Sequence, residues 1–204
     1  MGGCGMGRRL WLGGALGCLS LARPAGAVLP RDGYRFRVLR DGRAVGTHTV
    51  GAEPDGIVRT VLSLEVKLLS FTVFRMRHEY AERWQDDRLL SFAAHTIREG
   101  RETRLDLAAT PQGLRGRGPG GEILLPPAAL PLSWWEPAHL RQPLFDTATG
   151  EALQGGPSPQ RDQGGTRWLW PERGAAAYYN ANGRWVGFTM RGDDGIPVQY
   201  EPAG

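Results

Sequence analysis

Polar and apolar residues alternate along most of the chain, which is the pattern of β-strands that bury one face. The stretch YRFRVLRDGRAVGTHTV, residues 34–50, alternates on both sides of Asp41-Gly42. An Asp-Gly pair between two alternating runs indicates a hairpin with a two-residue turn. That turn predicts that Arg35 and His48 lie opposite each other on the polar face of the hairpin.

Turn residues recur between further alternating runs, at Pro54–Gly56, Asp86-Asp87, Glu99-Gly100, Pro111–Gly113 and Asn182-Gly183. The pattern predicts about eight to ten short strands and one helix at most. We therefore expect an all-β, mainly antiparallel fold, either a curved sheet or a partly closed β-barrel. The glycine-rich run RGRGPGG, residues 115–121, is not expected to form regular structure.

The run KLLSFTVFRMRHEYAERW, residues 67–84, fits two patterns. Val73, Met76 and Tyr80 recur at helical spacing, whereas Met76, His78 and Tyr80 also alternate as in a strand. The β-rich start FTVF and the alternating partner run LLSFAAHTI favour a strand.

The turn that follows decides which residue His78 faces. A two-residue turn at Asp86-Asp87 sets His78 opposite His95, close enough to share a metal ion. A three-residue loop sets His78 opposite Thr96 and keeps the apolar face continuous, so this register is favoured. No metal site is expected.

The N-terminus has the three parts of a secretory signal peptide, residues 1–27. Basic residues precede the apolar run 10–22, and small residues lead to a cleavage site before Val28. We expect an exported, periplasmic protein; a lipid anchor on Cys18 is an alternative. Residues 28–204 would then form a single domain with no further membrane span.

Removal of the signal peptide changes both charge and cysteine content. Three of the 25 basic residues lie in it and none of the 21 acidic ones, which leaves 22 basic against 21 acidic residues. The mature chain has no basic excess, so no nucleic-acid partner is expected. Both cysteines also leave, which excludes disulfides and a cysteine nucleophile.

The proline-interrupted run LLPPAALPLSWWEPAHLRQP differs from the strands around it. It predicts one short helix from a Ser133 cap to about Gln142. Trp134 and Trp135 would act either as a plug that fills the concave face of the sheet or as a lid over a ligand cavity. The candidate ligand-binding residues are Trp134, Trp135, His78, Tyr80 and Trp84.

Sequence motifs for catalysis are missing: there is no GxSxG, no phosphate-binding loop and no HExxH. We therefore predict no catalytic residue and no cofactor. The composition of QGGPSPQRDQGG, residues 154–165, predicts a flexible surface loop.

Several stretches together resemble an uncharacterised exported bacterial family, domain of unknown function 6134. They are YRFRVLRDGRAVGTHTV, VKLLSFTVFRMRHEYAERW, PLSWWEPAHL, LFDTATGEAL and YYNANGRWVGFTMRG. The resemblance implies an antiparallel β-sheet protein and no particular activity. The chain departs from the family at Asp86-Asp87, where a Gly is usual, and over 154–174, where a strand pair is expected to be shortened.

These patterns favour a non-catalytic protein that binds an apolar or lipid-like molecule on a concave sheet face. Two alternatives remain: an envelope structural or interaction module with an unknown protein partner, and an enzyme that uses His78 or His95 as a base.

Overall fold

The computed structural model describes Met1 and residues 29–69, 71–192 and 194–203. Apart from Met1, the predicted signal peptide and Cys18 lie outside the described residues. The described chain is mainly β-strand with almost no helix, and all neighbouring strands of its main sheet are antiparallel. The predicted fold class is therefore confirmed.

Thirteen strands form one sheet in the order β11-β12-β13-β14-β15-β1-β2-β3-β4-β5-β6-β7-β8. The strands of the first half are β1 Tyr34–Arg40, β2 Arg43–Glu53, β3 Ile57–Leu68, β4 Phe71–Gln85, β5 Arg88–Arg98, β6 Arg101–Thr110, β7 Gly113–Gly118 and β8 Gly121–Leu125. Those of the second half are β11 Ser158–Asp162, β12 Gly165–Trp170, β13 Ala175–Asn180, β14 Trp185–Arg191 and β15 Pro197–Pro202. A short parallel pair, β9 Leu130–Pro131 with β10 Leu144–Phe145, lies outside this sheet.

Residues 126–157 connect the two edge strands, β8 and β11, and we call this segment the plug. It packs on one face of the sheet, the inner face. Its Leu140 and Leu144 lie in one hydrophobic cluster with Phe36 of β1 and Trp168 of β12. Because strands well apart in the sheet contact the same plug, the sheet curves around it.

Three of the predicted turns open on an acidic residue with positive φ: Asp41 (50°), Asp86 (48°) and Glu99 (51°). Each follows a strand directly and reverses it into the next one. Aspartate tolerates this backbone region better than most residues, which suits Asp41 and Asp86. These hairpins are where the alternation predicted them.

The predicted pairing of Arg35 with His48 is wrong. A β-bulge between Val38 and Leu39 shifts the register, so that Phe36 faces His48 and Arg35 faces Thr49. One extra residue moves every later side chain of a strand to the other face. His48 therefore lies on the buried face.

The β4–β5 hairpin combines the two registers that the sequence left open. Asp86-Asp87 is a two-residue turn, with Gln85 opposite Arg88. A bulge at Arg83/Trp84 then shifts the pairing, and His78 lies opposite Thr96. His95 is on the other face, where it bonds Glu102, so the His78–His95 pair does not form.

Three predictions about irregular segments are wrong. The helix from Ser133 to Gln142 is reduced to one 3₁₀ turn, His139–Arg141, because Pro137 interrupts it and the Ser133 hydroxyl bonds the sheet. Residues 115–121 lie in the β7–β8 hairpin, and 154–165 contains β11, paired with β12. The count of eight to ten strands does not hold either, since the described residues form 15 strands. The shortening over 154–174 relative to the family stays a prediction.

The core consists of two clusters on the inner face. One joins β1–β3 and β12–β14 to the plug, and the other joins β4–β8 to Phe145 of the plug. Among the described residues, no helix has the length and apolar character needed to cross a membrane.

Candidate functional site

The inner face of β4 carries an unusual series of buried polar side chains. His78, Tyr80 and Glu82 alternate with more exposed residues and are at most 6% exposed. A strand that alternates with period two places all three on one face. The curvature of the sheet and the plug then remove them from solvent.

Glu82 is the centre of a hydrogen-bond network between sheet and plug. The Ser133 hydroxyl donates to Glu82 Oε1 at 2.6 Å, and the Trp84 indole donates to Oε2 at 2.9 Å. Trp135 Nε1 lies 3.3 and 3.2 Å from the two carboxylate oxygens. Because the Ser133 proton is used on Glu82, the Tyr80 hydroxyl donates to Ser133 Oγ, 3.1 Å away.

Burial raises the pKa of Glu82 from 4.5 to about 7, and the Ser133, Trp84 and Trp135 donors oppose this shift. The pKa of Tyr80 is also raised, first by burial and then by the Glu82 charge. Glu82 and Ser133 are both 0% exposed. Neither can meet a substrate while the plug is in place, so the network joins the plug to the sheet.

The two tryptophans of the plug point to different partners. Trp135 is buried, and its ring meets Trp84 edge-on at a centroid distance of 6.3 Å. Trp134 packs against Phe188 at 5.0 Å, and its carbonyl accepts a hydrogen bond from Tyr179. Phe145 of the plug is also fully buried, at 0% exposure. The plug therefore fills the middle of the inner face, as the plug interpretation requires.

His78 has a hydroxyl partner on each ring nitrogen. Nδ1 lies 2.8 Å from Thr96 Oγ1, and Nε2 lies 3.0 Å from Thr147 Oγ1 of the plug. Burial lowers its pKa to about 4, so the ring is neutral at pH 7. This imidazole is buried and bonded on both sides, so it fastens the plug to the sheet.

Beyond the plug, the inner face continues as an apolar surface that is only partly buried. It consists of Leu62, Leu64 and Val66 on β3 and Phe74 and Met76 on β4, and we call it the open strip. Leu64 faces Met76 and Val66 faces Phe74 across the two strands. Neither core cluster includes these five residues.

Two arginines border the open strip. Arg98 lies directly opposite Met76, and Arg101 lies directly opposite Arg98, so both belong to the inner face. The Arg98 guanidinium is 5.4 Å from the centre of the Phe74 ring. Within the described part of the chain, neither arginine has a carboxylate within 4 Å. Like charges directly opposite each other repel, which an anion between them would relieve.

Of the five predicted ligand-binding residues, the structure brings three, Tyr80, Trp84 and Trp135, together around Glu82. His78 lies beside Tyr80, with ring centroids 5.2 Å apart. Trp134 lies apart from them, near Phe188.

Sequence reasoning gave Glu82 no role of its own. The available indication was its parity: it shares a strand face with His78 and Tyr80, so an acidic residue stands where the pattern predicts an apolar one. The open strip was also missed, because alternation identifies an inner face without showing how far the plug covers it.

Across the described ranges, no group of three His, Cys, Asp or Glu side chains is arranged to hold a metal ion. The 3.1 Å contact between His95 and Glu102 is an exposed pair on the outer face.

These features define a class: an antiparallel curved-sheet protein whose inner face is filled in the middle by its own connecting segment. The chain belongs to the family described as Domain of unknown function (DUF6134), whose model matches residues 36–203. No curated protein and no solved structure matches it.

Proposed function

We propose that this protein is a non-catalytic binding protein for an amphipathic, lipid-like molecule with an anionic headgroup. The acyl chain lies on the open strip, and the headgroup lies between Arg98 and Arg101. One observation carries the proposal: the five partly exposed apolar side chains of the open strip lie on the same sheet face as the guanidinium groups of Arg98 and Arg101. Neither guanidinium group has a carboxylate partner in the described part of the chain.

Chemistry supports a fatty-acid-like ligand. An acyl chain gains about 0.8 kcal/mol for each methylene group that it buries. A guanidinium group is suited to a carboxylate or phosphate because it can donate two parallel hydrogen bonds. The open strip would supply the first contribution and the arginine pair the second.

A further polar atom lies next to the open strip. His48 faces Leu62 across β2 and β3 and is buried. Within the described chain its Nδ1 has no hydrogen-bond partner, and burial lowers its pKa to about 3. Buried polar atoms are usually hydrogen-bonded. The unused nitrogen of His48 therefore favours a ligand that has a polar group over a pure hydrocarbon.

Binding of the fluorescent fatty acid cis-parinaric acid tests the proposal. The wild-type protein is expected to bind it saturably, and a Leu64→Ser/Met76→Ser variant about tenfold more weakly, since about 1.4 kcal/mol of apolar contact is lost. Val61→Ser is the matched control, because Val61 is on the same strand with the opposite parity. Equal affinities of the wild-type protein and the double variant would contradict the site.

The headgroup position is tested by charge. Arg98→Gln should weaken the binding of cis-parinaric acid severalfold and leave the binding of its uncharged methyl ester unchanged. Arg104→Gln, on the outer face opposite His95, should alter neither. A loss of equal size for acid and ester would place the headgroup elsewhere.

We also propose that the protein acts after export, as a periplasmic chain that begins near Val28. The support is the order of basic, apolar and small residues in the first 27 positions. Intact-mass measurement of the protein from a periplasmic extract tests this. A mass that starts at Val28 is expected, whereas a full-length chain recovered from the cytosol, or a lipid-modified Cys18, would contradict it.

A further inference from the structure

The β3–β4 hairpin extends beyond the strands on either side of it. The pairing of β3 with β2 stops at Leu64, which lies opposite Gly46. The pairing of β4 with β5 stops at Met76, which lies opposite Arg98. The Glu99 N–H still donates to the Arg75 carbonyl at 3.0 Å. From Val66 and Phe74 outward the two strands pair only with each other. The end of this hairpin is therefore a projection from the sheet.

The projection ends in exposed apolar side chains. Leu69 is 93% exposed, Phe71 74% and Val73 52%. Exposure of large apolar side chains to water is unfavourable. A contiguous group of such side chains on a surface indicates an interaction site. We call these three residues the apolar tip.

The backbone at the turn makes this choice of residue unusual. Within the described ranges, six non-glycine residues have a positive φ. Five are acidic, and the sixth is Leu69, with φ of 56°. Leucine is disfavoured in this backbone region and gains nothing from water, so its presence at the most exposed point does not serve the turn.

Charged residues surround the apolar tip with a positive excess. Residues 65–79 contain three basic side chains, Lys67, Arg75 and Arg77, and two acidic ones, Glu65 and Glu79. Lys67 and Arg75 both contact Glu65, Arg77 contacts Glu79, and all three basic side chains remain more than half exposed. The net charge of this stretch is therefore +1.

We infer that the apolar tip inserts into the interface of an anionic lipid membrane, with Lys67 and Arg75 at the level of the headgroups. A few apolar side chains below a basic collar are sufficient for reversible interfacial binding. A stable protein–protein interface buries about 800 Å² on each partner. The end of a projecting two-stranded hairpin does not offer that much surface. The apolar tip shares no residue with the open strip, and the inference does not depend on the proposed ligand.

Flotation of the full-length protein with vesicles tests the inference. The vesicles contain 1-palmitoyl-2-oleoyl phosphatidylcholine, with or without about one third of the corresponding phosphatidylglycerol. Wild-type protein is expected to bind the anionic vesicles and to be released by salt. A Phe71→Ser/Val73→Ser variant should partition about tenfold more weakly. Leu124→Ser is the control, because Leu124 is 65% exposed on the distant edge strand β8.

The N-terminal residues are common to all three proteins, so any vesicle binding by that segment cancels in the comparison. Equal partitioning of the tip variant and the wild type would overturn the inference. It would also be overturned if the wild type bound neutral and anionic vesicles equally, or if the tip variant only changed a monomer–dimer equilibrium measured by sedimentation. The last result would assign the apolar tip to a second copy of the chain.

Discussion

Glu82 is an ionisable residue held in a fully buried position. A carboxylic acid in a fully buried position is stabilised in its neutral form, and the three donors around it compensate only in part. Replacing Glu82 by an apolar residue would leave its three hydrogen-bond donors without an acceptor. The residue therefore makes attachment of the plug dependent on pH.

The sign of that dependence follows from the raised pKa. Between pH 4.5 and about 7 the folded protein holds a proton on Glu82 that the unfolded chain has lost. The stabilisation from Glu82 is complete below pH 4.5 and is lost as the pH rises through 7, which amounts to about 3 kcal/mol.

Urea unfolding over this pH range tests the effect with Glu82→Gln. The free energy of unfolding of the wild type, relative to that of the variant, should fall as the pH rises from 4.5 to 7. Glu79→Gln is the control on the outer face, where Arg77 and Arg59 lower the pKa of Glu79. That contribution is present above pH 4.5 and is lost only on acidification, so its offset should stay constant over the range. Parallel curves for wild type and Glu82→Gln would show that Glu82 is not protonated in the folded state.

At the scale of elements, local chemistry predicts the hairpins and misses the bulges. Asp41-Gly42 and Asn182-Gly183 mark their turns because Asp41, Gly42 and Gly183 adopt a positive φ that few residues tolerate. The bulge at Val38/Leu39 has no comparable local mark, yet it moves His48 from the polar face to the core. Which face a bulge favours is decided by packing against distant residues, here Trp185 and Tyr200.

The plug is the element that sequence reasoning could describe only in part. Prolines and tryptophans identify it as a non-sheet segment, and its interpretation as a plug agrees with the burial of Trp135. Its contacts with Glu82 join residues about 50 positions apart. Such contacts depend on the curvature of the whole sheet, which periodicity does not encode.

Phe145 tests whether the plug is a part of the core. Its ring meets Phe92 edge-on at 5.2 Å, and it is fully buried. Phe145→Ala should lower the free energy of unfolding by about 3–5 kcal/mol. The matched change Phe71→Ala in the apolar tip should alter it by no more than about 0.5 kcal/mol. Thermal and urea unfolding measure both. A small effect of Phe145→Ala would mean that the plug is only loosely attached, and the lid interpretation would then be favoured.

At the scale of the molecule, the sheet divides its inner face between two uses. The plug fills the middle with two hydrophobic clusters and a buried polar network. The open strip remains beyond the plug, at the end where β3 and β4 extend past their neighbours. The ligand that we propose for the open strip would not need to displace the plug.

Methyl NMR tests this division of the inner face directly. Oleate is titrated into protein with labelled Leu, Val and Met methyl groups. We expect the signals of Leu62, Leu64, Val66 and Met76 to shift saturably, while those of Leu140 and Leu144 in the plug stay unchanged. Shifts centred on Leu140 and Leu144, or none in the open strip at saturating oleate, would contradict it.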